Sequence, residues 1–208
     1  MKDLSTTERG RDRPRTQDAI VAAAKRLLAD HGFEKWGVNA IARSAGCDKQ
    51  LVYRYFGGLD GLAEAIGRDV AADLESALSA KAVPTPDSYA ALVASLLDAF
   101  IDVLRDSLLM QRIIAWELSA ANPLTLGFAK ARGDALARWI GRIKGDLSPP
   151  PGIDAPAFNA ILIAAIQHLT LSATASAGFA GISLQSEAEW QRVRAAIRHL
   201  VSTVFKSA

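Results

Sequence analysis

The segment 49–56 concentrates side chains that could make directed contacts with a DNA duplex. They are Lys49, Gln50, Leu51, Tyr53, Arg54 and Tyr55. Lys and Arg donate to guanine O6 and N7, Gln can pair with adenine through two hydrogen bonds, and Leu can contact a thymine methyl. Tyrosine hydroxyls bind phosphate and set the register without reading sequence. An ordinary solvated helix with two half-buried tyrosines would have the same composition.

Two short helices joined by a tight turn are predicted to position these side chains. Ala42 and Ala45 are small and allow two helices to cross closely. Gly46 can adopt the left-handed conformation that ends a helix, and Asp48 is a favourable N-cap for the next one. Val52 is predicted to hold that next helix against the core. These are the parts of a helix-turn-helix.

The string from Ile41 to Phe56 resembles the signature of the tetracycline-repressor (TetR) family. That signature reads Ile-Ala, two variable residues, Ala-Gly-Val, a Ser-like cap, Leu-Tyr, one variable residue, His or Tyr, and Phe. The resemblance covers about residues 16–66. It implies an all-helical DNA-binding domain in which the residues matching Tyr53 and Tyr55 contact the DNA backbone. It also implies a repressor with a helical body that binds a small-molecule effector.

Three positions depart from the family pattern. Gly37 replaces the usual Thr cap of the second helix, Gln50 stands where a small residue is common, and Gly58-Leu59 replaces a Ser-Lys pair whose Lys meets phosphate. The last change removes one backbone contact. It predicts DNA binding that is weaker or more dependent on the basic N-terminal arm.

Charge distribution and residue type extend the candidate DNA-binding face. Residues 1–56 carry 11 Lys/Arg and 7 Asp/Glu, whereas residues 57–208 carry 13 and 15. A basic head suits a phosphate partner. The predicted DNA-binding set is Asn39, Arg43, Asp48, Lys49, Gln50, Leu51, Tyr53, Arg54 and Tyr55, and a flexible basic arm with Arg9, Arg11, Arg13 and Arg15 precedes it.

Helical periodicity dominates the rest of the chain. Helices are expected over about 59–79, 86–105, 107–120, 122–147 and 154–179, with a last one after Ser186; no segment alternates with period two, so no sheet is expected. The predicted fold is all-α with about nine helices. Residues 1–15 form the arm, 16–58 the three-helix helix-turn-helix domain, and 59–208 a larger ligand-binding and dimerisation domain.

The last two helices are the expected dimer interface. Residues 157–177 are apolar on two sides, and such a helix must be covered all round. The final helix places Trp190, Val193, Ile197, Leu200, Val201 and Val204 on one face. These features predict a homodimer through residues 154–206. The alternative is that both faces are covered within one chain.

A ligand cavity in the body is an implication of the family resemblance. The candidate ligand-binding residues are Phe100, Met110, Trp116, Trp139 and His168. Glu117 beside Trp116 and Gln167 beside His168 offer aromatic–polar combinations of the kind that pockets use. Core packing is the alternative for each of them. Whether the effector releases or promotes DNA binding stays open.

Other chemistry is not indicated. Cys47 suits a small buried hydrophobe, and the three histidines lack metal-ligand spacing, so no metal, cofactor or catalytic set is expected. The N-terminus lacks the apolar region of a secretory signal, and residues 157–171, interpreted as a buried helix, fall short of a membrane span. We therefore expect a cytoplasmic protein whose partners are a double-stranded DNA operator, a second copy and an effector. The alternative classes are a helical enzyme and a protein-binding adaptor.

Two glycines interrupt the long helix expected over 59–79. Glycine in a helix interior costs about 1 kcal/mol relative to alanine, so Gly61 and Gly67 invite a reason. Close packing against a neighbouring helix is one, and a compliant point through which the body moves the head is the other.

Overall fold

The chain folds into helices, as predicted. The computed structural model describes residues 5–33, 35–81, 86–119 and 122–205. Within these ranges the helices are α1 (Ser5–His31), α2 (Val38–Ala45), α3 (Lys49–Phe56), α4 (Leu59–Ala80), α5 (Tyr89–Asp106), α6 (Leu108–Ser119), α7 (Pro123–Lys144), α8 (Ala155–Ser176) and α9 (Glu187–Val204). The all-α class and the helix number predicted from the sequence are confirmed.

Side-chain caps explain where several helices begin. Asp48 accepts a hydrogen bond from the backbone N–H of Gln50 at 2.7 Å, and Asn122 accepts from the N–H of Thr125 at 3.1 Å. Ser186 accepts from the N–H of Glu189 at 3.3 Å. Each cap satisfies a donor that the first helical turn leaves without a partner. These starts are the ones that the sequence predicted.

Three elements differ from the sequence-based expectation. The expectation of no sheet is wrong in one detail, because Gly178–Phe179 pairs antiparallel with Ile182–Ser183. Helix α8 ends at Ser176 because Ala177 takes a left-handed conformation, with φ of 64°. Helix α1 begins at Ser5, so helical backbone runs through much of the segment 1–15 expected to be an arm; residues 1–4 of that segment lie outside the described ranges.

The chain forms two compact units. The head unit consists of Met1–Ala72 with Arg112–Arg132, and the body unit consists of Asp73–Gln111 with Gly133–Ala208. The head unit buries apolar side chains of α1 to α4 completely, among them Ile20, Leu28, Ile41, Val52 and Ile66. An ion pair joins α6 and α7 in the same unit. Arg132 donates to both carboxylate oxygens of Glu117 at 2.7 and 2.6 Å.

The body unit packs α5 against α8 and α9. Its core includes Leu92, Ile101, Leu162, Ile166 and Trp190. A polar cluster accompanies this core, because buried Arg194 of α9 is hydrogen-bonded to Asp98 and Asp102 of α5. The cluster fixes α9 on α5 through charge-assisted hydrogen bonds.

Helix α8 is not the buried helix that we expected. Leu162, Ile166 and Thr170 are buried, whereas Ile161 is 66% exposed and the neighbouring positions on its face are open to solvent. By length and composition this helix, Ala155–Ser176, could also cross a membrane, and 17% of its most apolar window is buried within the chain. Helix α8 therefore has apolar residues both on a buried inner face and on a solvent-exposed outer face.

Candidate nucleic-acid interface

Helices α2 and α3 form a helix-turn-helix with one buried side. Ile41 and Ala42 of α2 and Val52 of α3 are buried. Between the helices Gly46 adopts a left-handed conformation with φ of 66°. The inward residues predicted from the sequence therefore hold α3 on the core, and the opposite side of α3 faces solvent.

The predicted DNA-binding residues lie mostly on that open side. Exposed side chains are Asn39, Arg43, Asp48, Lys49, Gln50, Tyr53 and Arg54, and those of Leu51 and Tyr55 are half-buried. Tyr53, at 56% exposure, is among the most exposed large apolar or aromatic side chains of the described residues. Lys49, Gln50, Tyr53 and Arg54 thus stand on the solvent-exposed side of α3, opposite buried Val52.

The ring of Tyr55 has two guanidinium groups nearby. The Cζ atoms of Arg13, from α1, and Arg54 lie 5.7 and 5.9 Å from the centre of its ring. At these distances a cation is attracted to the ring face. Sequence analysis predicted Arg13 only as part of a charged arm, because residues 42 positions apart give no local signal of contact. The ring thus brings an arginine of α1 and an arginine of α3 into contact with one residue of α3.

The turn after α3 explains why Gly58 stands where the family has a Ser. Gly57 ends α3 with φ of 75°, and Gly58 follows with φ of 122°. Residues other than glycine rarely adopt the backbone conformation of Gly58. The position of a Cβ on Gly58 lies 3.7 Å from the Tyr53 ring, so the ring covers this turn.

Asp48 and Cys47 have structural roles at the turn. The carboxylate of Asp48 is occupied by the cap on α3, and its negative charge faces the same solvent as the basic side chains. Burial raises the pKa of the Cys47 thiol, and the neighbouring charge of Asp48 raises it further. A raised pKa disfavours the reactive thiolate, which supports the interpretation of Cys47 as a packing residue.

Gly61 brings α4 close to the end of α3. A Cβ at this position would collide with the carbonyl oxygen of Phe56, whereas a Cβ at Gly67 would lie 3.5 Å from the Phe128 ring, an ordinary contact. Close approach therefore accounts for Gly61. It does not account for Gly67, where the neighbouring helix leaves room for a methyl group.

A row of four aromatic rings crosses the head unit and was not predicted from the sequence. Trp36, before α2, meets Phe33 edge-on, with ring centres 5.7 Å apart. Phe33 stacks on Trp116 of α6 at 3.4 Å, and Trp116 meets Phe128 of α7 at 6.2 Å. Phe33 and Trp116 are 83 positions apart, so only the fold could show this contact. The row connects the entrance of the helix-turn-helix to α6 and α7.

The five predicted ligand-binding residues are distributed over both units. Phe100 and Trp139 line one apolar cavity of about 50 Å³ in the body unit. Met110 is buried in the same unit, but it does not line this cavity. Trp116 belongs to the aromatic row of the head unit. His168 is exposed, and its ring lies 4.4 Å from that of Phe179.

Comparison with known proteins agrees with this geometry. Residues 20–66 match the model of the bacterial regulatory proteins of the tetR family. A segment of 68 residues is 34% identical to the HTH-type transcriptional regulator BetI 2 of Chromohalobacter salexigens and covers 33% of each chain. The match thus spans about a third of the length of that curated relative.

Solved structures share the fold over most of the chain. A TetR transcription regulator from Haloarcula marismortui superposes with a TM-score of 0.65 at 18% identity, covering 93% of this chain and 100% of that one. The regulator FadR from Bacillus subtilis, in complex with stearoyl-CoA, gives 0.62 at 14% identity, covering 88% and 96%. At these identities the likeness shows the fold alone.

The buried and open sides of α2 and α3 define a helix-turn-helix protein on an all-helical scaffold. The match over residues 20–66 confirms the predicted resemblance: this segment is similar to the bacterial regulatory proteins of the tetR family.

Proposed function

We propose that this protein is a transcriptional repressor that binds a two-fold symmetric DNA operator as a homodimer and is released by a small-molecule effector. The observation that carries the proposal is the open side of α3, where Lys49, Gln50 and Arg54 stand beside Tyr53 on a helix held by buried Val52. In this interpretation Lys49 and Gln50 read base edges, and Tyr53 and Arg54 bind phosphate.

The proposed dimer uses the outer faces of α8 and α9. Ala157, Ala160, Ile161, Ala164 and His168 are exposed on α8, and Leu200 is exposed on α9. An outer face of this composition is stabilised when a second copy covers it, and two-fold pairing lets the same face meet itself. A dimer also presents two copies of α3 to two half-sites, which is why the operator is proposed to be symmetric.

The effector is proposed to act on the balance between DNA-binding and released conformations. Phe100 and Trp139 remain candidate ligand residues, but their cavity of about 50 Å³ is far below the roughly 300–1,000 Å³ of ordinary ligand sites. The regulator FadR, whose fold is similar, is in complex with stearoyl-CoA, which supports a small-molecule effector for this protein. An effector of this protein at Phe100 and Trp139 would require the cavity to widen.

The salt dependence of duplex binding tests the DNA-binding proposal. The logarithm of the association constant should fall linearly with the logarithm of salt concentration, and Arg54→Gln should reduce that slope by about 0.9 if it removes one phosphate contact. Arg112→Gln is the matched control, since Arg112 is an exposed arginine of the head unit outside the helix-turn-helix. Duplex binding that shows no salt dependence would contradict the proposal and favour a protein-binding adaptor.

A further inference from the structure

A groove in the head unit lies between α4 and the first turns of α7. Its volume is about 630 Å³, and its walls include Asp60, Glu64 and Gly67 on one side and Gly127 and Phe128 on the other. Ordinary small-molecule sites occupy roughly 300–1,000 Å³. This groove therefore has the volume of a ligand site.

Small residues create the groove. Ala63 and Gly67 of α4 face Gly127 and Ala131 of α7. A Cβ on Gly127 would meet no atom within 4 Å, and one on Gly67 would only touch the ring of Phe128 at 3.5 Å. The two helices therefore leave space between them that larger side chains could fill, and the wall formed by Phe128 is aromatic.

The rim carries an excess of negative charge. Asp60 and Glu64 supply two carboxylates, and Arg68 supplies one positive charge. The Arg68–Glu64 contact is 4.0 Å between highly exposed side chains, a geometry that contributes little. The carboxylates are therefore available to an incoming cation.

We propose that this groove binds a small organic cation, with an aromatic or apolar body against Phe128 and the small residues and an ammonium group facing Asp60 and Glu64. The two carboxylates attract the ammonium group, and the apolar body gains burial against Phe128 and the small residues. As a binding site the groove stands independently of the regulatory function; as the effector site it rests on the function proposed above.

The aromatic row connects this groove to the DNA-binding helices. Phe128, which lines the groove, meets Trp116, and Trp116 stacks on Phe33 in the turn that leads to α2. A ligand that changes the position of Phe128 acts on a contiguous set of packed rings. Coupling of this kind requires a packed element with two arrangements that both sites bias, and the Phe33–Trp116 stack is the element that we assign.

Three probes with one skeleton test the proposed chemistry: 4-phenylbutylammonium, 4-phenylbutanol and 4-phenylbutyrate. Binding is measured by calorimetry and by tryptophan fluorescence on the full chain carrying Trp139→Phe, which removes the tryptophan of the body cavity. The ammonium should bind at least tenfold more tightly than the alcohol, and the carboxylate more weakly than both. The double variant Asp60→Asn/Glu64→Gln should reduce the ammonium to the affinity of the alcohol.

Matched glycine variants on α7 test the location. Gly127→Leu should lower the affinity for the ammonium at least tenfold, because its side chain would enter the groove. Gly141→Leu should leave the affinity unchanged, because Gly141 is exposed, has no neighbour within 4 Å of its added Cβ and lies outside the groove. Circular dichroism verifies that both variants fold.

Several results would overturn the proposal. They are no measurable binding of any probe, tighter binding of the carboxylate, or equal affinity of the ammonium for Gly127→Leu and the unchanged protein. Duplex binding measured without probe separates this outcome from the function proposed above. If the chain binds the ammonium probe but no DNA, the ligand-site proposal stands and the repressor proposal fails. If it binds DNA but no probe, the repressor proposal stands and the ligand-site proposal fails.

Discussion

Replacing Ile161 by Asp should dissociate the proposed dimer without unfolding the chain. Full burial of an Ile side chain contributes about 1.5–3 kcal/mol, and this one is 66% exposed in the single chain. Covering the exposed part of this side chain in a dimer interface therefore contributes about two thirds of that free energy. A two-fold dimer contains two copies, so the loss is about 2–4 kcal/mol, or a rise in the dimer Kd of about 30- to 1,000-fold.

Sedimentation equilibrium over a range of micromolar concentrations measures this change. Leu126→Asp is the matched control, because Leu126 is 65% exposed and lies on α7. It places the same charge on an equally exposed apolar position outside α8 and α9. Both variants should keep the helical circular dichroism spectrum of the unchanged protein, which verifies that neither is unfolded.

The reasoning would be refuted if Ile161→Asp remained as dimeric as the control, or if the unchanged protein were a monomer at these concentrations. Ile197, which the sequence pattern placed on the same interface, is unsuitable for this test. It is 6% exposed within a single chain, so Asp at that position would disrupt the core of the body unit before it affected any interface.

Three further predictions concern the head unit. Lys49→Ala should relax base preference at one operator position, costing about 1–3 kcal/mol on the best site, whereas Tyr53→Phe should weaken binding to all duplexes alike; anisotropy titrations on matched and mutated sites separate the two. Gly61→Ala should destabilise the chain by about 1–3 kcal/mol through steric conflict with the end of α3. Gly67→Ala should instead stabilise it by up to about 1 kcal/mol. Equal unfolding midpoints of the two variants would contradict both predictions. Glu117→Gln should lower the urea midpoint by the equivalent of about 3 kcal/mol, because it leaves a largely buried guanidinium without its carboxylate; an unchanged midpoint would show that the pair adds no stability.

Local rules predicted the helix-turn-helix in detail. Gly46 and Asp48 act through their own backbone conformation and a cap two residues away, so the sequence contains the whole interaction. The same holds for Ser186 before α9 and for Asn122 before α7. Exposure of Lys49, Gln50 and Tyr53 followed from helical periodicity around Val52.

Long-range packing could not be predicted in the same way. The stack of Phe33 on Trp116 joins residues far apart in sequence, and each alone is an ordinary aromatic residue. The two glycines of α4 looked alike in the sequence, yet only Gly61 meets another backbone. Ala177 ends α8 in a left-handed conformation that alanine rarely adopts, so the pattern suggested a helix that continues to Phe179.

Selection of bound duplexes from a random DNA pool tests the central claim most directly. The purified protein at moderate salt should recover an inverted repeat whose half-sites lie about one helical turn apart, because two copies of α3 enter successive major grooves on one side of the duplex. Recovery of no enriched sequence, or of a single unsymmetrical site bound by one chain, would contradict a dimeric repressor that reads DNA through Lys49 and Gln50.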